Sequence, residues 1–258
     1  MTKKNREYAH ASKHKIFGIH AVVAALKNPR RTGHSLFITR KAFESFEIEN
    51  PELVKNLGVI LFVTPEEIDA RLGTNEVHQG MLLETDPLPL LSLEDIVDQA
   101  QETETIVILD QVTDPHNVGA IMRSAAAFGV SSVVITEHHG TPMTPTLAKC
   151  ASGALEHIAF GSVGNLKQGL DYLKSQNFWC IGLDEEGTQD LHEFVFEGRT
   201  ALVLGAEGKG LRRLTKDTCD VLLRLPTSGT FSTLNVSNAA AVSFYEIFCQ
   251  AKKRRKKL

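Results

Sequence analysis

The chain has 258 residues, 42% of them hydrophobic and 23% charged, with a formal net charge of −3. That length is too great for a disulfide-stapled miniprotein and accommodates one or two domains, each with its own core. No stretch approaches the roughly 18 uninterrupted apolar residues of a membrane span, so a membrane is not expected as a partner.

Residues 1–15 are polar, basic and aperiodic and read as a flexible arm; the charged MTKKNREYAH start lacks the apolar core of a secretory signal, and a cytoplasmic location is expected. Residues 1–40 together carry a net charge of +8. From Ile16 the pattern tightens. His20–Leu26 reads as an apolar helix stopped by Asn28-Pro29, Ser35–Thr39 alternates like a strand, and Val59–Val63 reads as a buried strand. Pro65 opens a short helix and Met81–Glu84 closes the unit with a strand, which predicts a small α/β domain over 16–86. Residues 41–105 carry −12, and 87–104, with Pro87, Pro89 and an acidic run, read as a linker containing a short helix.

A second alternation spans 105–251, with a net charge near −5. Strands are expected at 106–109, 133–136, 178–183, 201–204 and 221–225, and helices at 117–128, 166–173 and 237–250. Short apolar strands without polar alternation, flanked by helices, predict a parallel sheet covered on both faces. The run 252–257 adds +6 as a basic tail; it reads either as a polyanion contact or as a solubilising end. The four cysteines, at 150, 180, 219 and 249, have no C-x-x-C pairing and read as reduced, mostly buried thiols. His138-His139 reads as loop, and no metal is expected.

Ligands of parallel sheets bind beyond the carboxyl ends of the strands, so the loops there are the candidates. The first runs from Asp110 to Gly129. Asp114 is a good N-cap and Pro115 a good first helical residue; Val118, Ile121, Met122 and Ala125 form the buried stripe. Arg123 lies roughly 140° from Val118 at about 100° per residue, off that stripe; taken alone it reads first as a solvated surface arginine. The second loop, Gly205-Ala-Glu207-Gly208-Lys-Gly210, is neither a dinucleotide fingerprint nor a phosphate loop. It reads either as a bare tight turn or as a device that aims Glu207 into a cleft. The third, from Leu225 to Asn238, is dense in hydroxyls and amides; capping by Asn235 or Ser237 explains only part of it.

Together these loops resemble the SpoU/TrmH family of RNA ribose 2′-O-methyltransferases of the SPOUT superfamily. The resemblance rests on Asp114-Pro-His-Asn117-x-Gly119-Ala-x-x-Arg123, on Gly205-Ala-Glu207-Gly208-x-Gly210, and on Leu225-Pro226-x-x-Gly229 through Leu234-Asn235-Val236-Ser237. Gly18-Ile19-His20-Ala21-Val22 and Val77-His78-Gln79-Gly80 resemble the L30e-like substrate-binding domain found in that family. The resemblance implies an α/β-knot methyltransferase domain with a trefoil knot behind the L30e-like domain. It also implies S-adenosylmethionine as cofactor, a homodimer, and RNA rather than DNA as partner. Among family branches it points to the one methylating a guanosine of large-subunit ribosomal RNA; a transfer RNA substrate, or a non-catalytic RNA-binding or ribosome-assembly protein of the same fold, are the alternatives. By match to the motifs, Asn117, Arg123, Glu207, Ser232 and Asn235 are the implied catalytic set and Gly205, Leu225 and Leu234 the implied cofactor contacts. Thr233 stands where many members of the family carry Ser.

Overall fold

The computed structural model describes residues 13–73, 77–137, 140–141, 145–151, 153–229 and 233–255. The His138-His139 pair, Ser232, most of the N-terminal arm and the last three residues of the basic tail lie outside the described residues. The chain divides into two compact units between Pro89 and Leu90.

The first unit runs β1 (His14–Phe17), α1 (Ile19–Lys27), β2 (Ser35–Ile38), α2 (Arg40–Glu49), α3 (Pro51–Asn56), β3 (Ile60–Phe62), α4 (Pro65–Leu72) and β4 (Met81–Thr85). Its sheet has the order β1-β4-β2-β3, with β4 antiparallel to β1 and β2, and β2 parallel to β3. Period-two alternation builds a core on each face. Ile16, Leu36, Ile38, Met81 and Leu83 pack with α1 and Phe46 on one side, and Phe17, Phe37 and Leu82 pack with Ile68 on the other. Helix α4 starts with Pro65 behind a Thr64/Glu67 capping box and stops at Gly73, which takes the left-handed conformation.

Three expectations change here. Strand β1 begins at His14, inside the segment read as an arm, because His14 and Lys15 pair with Thr85 and Glu84. Strand β3 is not buried: it lies at the sheet edge, and Leu61 and Phe62 are exposed. Helices α2 and α3 fill a stretch for which the sequence reading named no element.

The second unit runs β5 (Leu91–Ser92), α5 (Leu93–Asp98), β6 (Glu104–Asp110), α6 (Pro115–Phe128), β7 (Ser132–Thr136), α7 (Pro145–Ala151), β8 (Ala159–Val163), α8 (Leu166–Ser175), β9 (Phe178–Leu183), β10 (Gln189–Asp190), β11 (Arg199–Gly205), α9 (Arg213–Thr218), β12 (Val221–Arg224) and α10 (Val236–Arg255). Its eight strands are ordered β10-β12-β9-β11-β6-β7-β8-β5, and every pairing is parallel. Buried Val107, Leu109, Ile181, Leu202 and Leu204 meet α6, α7 and α10 on one face. Ile106, Ile108, Cys180, Ala201 and Val203 meet α5 and α8 on the other. This is the covered parallel sheet that unalternated strands require.

Residues 91–98, inside the segment read as a linker, are built into this unit: Leu91 and Ser92 pair with β8, and Leu93, Ile96 and Val97 are buried in its core. Helix α10 continues through Arg255, so the first residues of the basic tail are helical. Among the described residues, no helix is long and apolar enough to cross a membrane.

All four cysteines are free, but only Cys180 is buried; Cys150, Cys219 and Cys249 are half-buried. Burial, reinforced by the Asp220 carboxylate, pushes the Cys219 thiol up to about 12, and the same causes raise Cys180 further. Because the thiolate is the nucleophile, thiols raised in this way resist a maleimide at pH 8, and the half-buried Cys150 is the position expected to label in the native protein. Cys180 and Cys219 should react only on unfolding, as peptide mapping of the labelled protein would read out.

Candidate active site

Strands β6 and β11 are neighbours in full register, and their last residues, Asp110 and Gly205, lie side by side at the carboxyl edge of the sheet. Helix α6 leaves this edge as expected. The Asp114 side chain caps it by accepting from the His116 N–H at 3.0 Å, with Pro115 in the first turn. Val118, Ile121, Met122 and Ala125 are fully buried, which fixes the helix rotation and holds Asn117 at the sheet edge.

Beyond β11 the chain folds back on itself. The Gly210 N–H donates to the Ala206 carbonyl at 2.8 Å, and a Cβ on Gly205 would overlap the Gly210 carbonyl group. Gly208 and Gly210 both have positive φ. The tight loop presents Glu207 at its tip. The third loop, after β12, ends at Asn235, which caps α10: its Oδ1 accepts from the Ser237 N–H at 2.8 Å and from the Ser237 hydroxyl at 2.6 Å.

The three loops meet at these side chains. The Asn235 amide donates to Asn117 Oδ1 at 3.0 Å and to Glu207 Oε2 at 3.3 Å, and the Asn117 amide donates to the same Glu207 oxygen at 3.3 Å. A carboxylate receiving two carboxamide donors on one oxygen is held in one orientation, and among the described residues no donor is set on its second oxygen. Asn117, Glu207 and Asn235 are thus brought together. Arg123 is exposed on α6, off the buried stripe, and among the described residues it makes no hydrogen bond to these three and no ion pair. Gly205 closes β11 at the base of the second loop, Leu225 is half-buried against the core, and Leu234, 45% exposed, adjoins Asn235. An apolar side chain beside fixed amides and a close-approaching glycine backbone offers a ligand both apolar and polar contacts.

One contributor was missed in the sequence. Asp110 is 1% exposed and accepts from the Arg212 N–H at 3.3 Å, Arg212 Nε at 2.7 Å and the Thr215 hydroxyl at 2.7 Å. It ties the end of β6 to the segment that follows the Glu207 loop. The signal was visible, since an acid terminates an otherwise apolar strand. The next residue, Gln111, has φ +60, a strained conformation that turns the chain toward α6. Nearby, Lys216 donates to Asp184 at 2.9 Å and Glu186 at 2.7 Å; the bonds to Glu186 and then Asp184 raise its pKa.

In the first unit, a cavity of about 570 Å³ is bounded by residues that include Ile19, Lys41, Phe46, Glu49, His78 and Met81. The two front motifs converge at it. The Gln79 side chain accepts from the Ile19 N–H at 3.0 Å, and His78 Nδ1 accepts from the Gly80 N–H at 3.0 Å.

Comparison with known proteins matches residues 104–245 to the SpoU rRNA Methylase family and residues 15–91 to the domain described as RNA 2'-O ribose methyltransferase substrate binding. The chain is 35% identical over 232 residues to the 23S rRNA (guanosine-2'-O-)-methyltransferase RlmB of Ralstonia nicotianae, covering 90% of this chain and 93% of that protein. It is 37% identical to the protein of the same name from Vibrio vulnificus, covering 90% and 94%. Among solved structures, the SpoU methyltransferase AviRb from Streptomyces viridochromogenes with the cofactor AdoMet superposes with a TM-score of 0.80 at 23% identity, covering 98% of this chain and 94% of that one.

Asp110→Ala should leave the Thr215 hydroxyl and the Arg212 N–H without their acceptor. A loss of roughly 2 kcal/mol is expected, with little added by the ion pair because the Arg212 side chain is 46% exposed. Urea unfolding of the variant measures it, and an unchanged midpoint would remove Asp110 from the support of the second loop.

Proposed function

The chain belongs to the SpoU rRNA Methylase family, and we propose that it transfers the methyl group of S-adenosylmethionine to the ribose 2′-hydroxyl of a guanosine in 23S ribosomal RNA, in the cytoplasm. The observation that carries this reading is the Asn117–Glu207–Asn235 cluster, in which three loops separated in sequence converge on one carboxylate. The two RlmB relatives support the choice of RNA and of guanosine.

S-adenosylmethionine, when bound, supplies a methyl group already activated by its sulfonium, so the chain's own task is positioning and charge stabilisation. Gly205, Leu225 and Leu234 would hold the cofactor through backbone and apolar contact. Asn117 and Glu207 orient the incoming nucleotide, and Asn235 anchors the third loop to α10. A ribose hydroxyl is a poor nucleophile at neutral pH, and a guanidinium does not give up its proton. Arg123 therefore acts by stabilising the developing alkoxide or gripping the adjacent phosphate.

Arg123 makes no hydrogen bond to the cluster of its own chain among the described residues, and this favours a homodimer in which a second copy supplies it. Val242 and Tyr245 on α10 are 50% and 55% exposed, and Tyr245 meets Phe128 of α6 edge-on at 5.6 Å, so an apolar face spans the two helices. The same reading has the C-terminal sheet threaded as a trefoil knot. What supports it is that Asn235, which follows β12, bonds Asn117, which follows β6, across the two intervening strands β9 and β11.

Incubation with radiolabelled S-adenosylmethionine and separated RNA pools should label unmethylated 23S rRNA and leave transfer RNA unlabelled. Arg123→Ala should lower the rate by about 10²-fold or more with cofactor binding unchanged by calorimetry; normal turnover would take Arg123 out of the mechanism. The double variant Val242→Asp/Tyr245→Asp should sediment as a monomer where the parent is a dimer, and a dimeric variant would overturn the α10 interface.

A further inference from the structure

The chain's single tryptophan is not in its core. Trp179 is the second residue of β9, at the amino edge of the parallel sheet, and it is 52% exposed in a strand whose neighbours Phe178 and Cys180 are buried. Its indole lies 6.2 Å from Phe194, edge-on, and Phe194 lies 5.0 Å from the buried Phe196. Val195, between them, is 63% exposed. This aromatic step is fixed to the end of α10. The Gln250 amide donates to the Phe194 carbonyl at 3.0 Å, and its Oε1 accepts from the Phe196 N–H at 3.2 Å.

Directly beyond Gln250 the helix turns basic. Lys253 and Arg254 follow it by three and four residues, one turn further on the same side. Lys252 sets its ammonium over the Phe248 ring at 4.6 Å. Among the described residues, none of these three cations makes an ion pair with a carboxylate. Arg255, Lys256 and Lys257 follow in the sequence. Glu193 and Glu197, both exposed, are the acids on the aromatic loop, and Glu246, which accepts from the Gln250 amide at 2.9 Å, is the acid on the preceding turn of α10; the six cations of 252–257 outnumber these three. The family match ends at residue 245, before this basic run.

An exposed indole anchored, through Phe194 and Gln250, to a helix end that turns basic is the pairing that single-stranded nucleic acid uses: bases stack on the ring and phosphates meet the charges. We propose that Trp179, the 194–196 loop and the basic end of α10 form a second RNA contact, at the opposite edge of the sheet from the Asn117–Glu207–Asn235 cluster, which takes an unpaired segment of the RNA substrate. This rests on RNA being the substrate, as argued above. A protein partner would find no reason in the apolar area alone for six consecutive basic residues. A polyanion does.

Because Trp179 is the only tryptophan, its emission reports this surface alone. The full-length protein, without cofactor, is titrated with a uridylate dodecamer at low salt. Saturable quenching is expected, weakening as salt is raised. The variant Lys252→Ala/Lys253→Ala/Arg254→Ala should bind about tenfold or more weakly, with the log–log salt slope reduced by about 2, three contacts at about 0.7 each. With a fluorescently labelled dodecamer read by anisotropy, Trp179→Leu should bind at least about fivefold more weakly and Trp179→Phe should recover most of the loss.

RNA binding without quenching, or variants that bind as the parent does, would overturn the proposal. So would quenching by phosphatidylglycerol vesicles with none by RNA, since the surface would then be a lipid contact. The dodecamer needs no methyl acceptor site, so these outcomes are independent of the methyl-transfer assay. Quenching without 23S labelling sinks only the assigned reaction, and labelling without quenching sinks only the second contact.

Discussion

Everything at the carboxyl edge of the large sheet depends on one carboxylate shared between two carboxamides. Glu207 sits between Asn117 and Asn235, residues 118 positions apart in the chain. Each partner is already committed locally. Asn117 is placed by a capped, deeply buried helix, and Asn235 spends its carbonyl oxygen capping α10. The Glu207 loop closes on itself through the Gly210 N–H and the Ala206 carbonyl, and the close approach of Gly210 to Gly205 restricts it further. The cluster is therefore preorganised by three independent elements, the condition under which polar groups can act on a bound ligand without first rearranging.

Asp110 plays the complementary part beneath the surface. It is buried, and its three hydrogen bonds belong to the segment just after the second loop, so the edge formed by β6 and β11 is locked from below as well as from above. A buried carboxylate is tolerable only when its lone pairs are filled, and here the donors that fill them come from the element that has to be held.

Much of the second unit was legible because parallel strands announce themselves as short apolar runs and their helices by a regular stripe. Val118, Ile121, Met122 and Ala125 proved buried, and Asp114 and Pro115 open α6 as their chemistry demands. The misreadings share a cause. Strand β3 has the composition of a buried strand, but the sheet places it at an edge, and no local pattern encodes position in a sheet. Residues 91–98 look polar and proline-flanked, yet three apolar side chains, Leu93, Ile96 and Val97, suffice to seat α5 in the core. Strand β8 carries Gly161 and Ser162, which dilute its apolar signal, and β10 has only two residues. At the site, motif spacing nominated Asn117, Glu207 and Asn235, but their mutual hydrogen bonds are tertiary and could not be read from spacing. Nor could the absence, among the described residues, of any bond from Arg123 to them. It depends on the length of α6 and on which faces of that helix the neighbouring elements leave open.

Helix α10 carries a consequence of its own. Its first turn is capped by the residue that anchors the third loop, and its last turn bears Lys252, Lys253 and Arg254. Twenty helical residues span about 30 Å, and a helix neither stretches nor compresses under ordinary loads. It therefore acts as a ruler between the sheet's two edges. A nucleic acid that touches both ends has to bridge that fixed length, so fragments too short to do so would meet one end or the other and never the two at once.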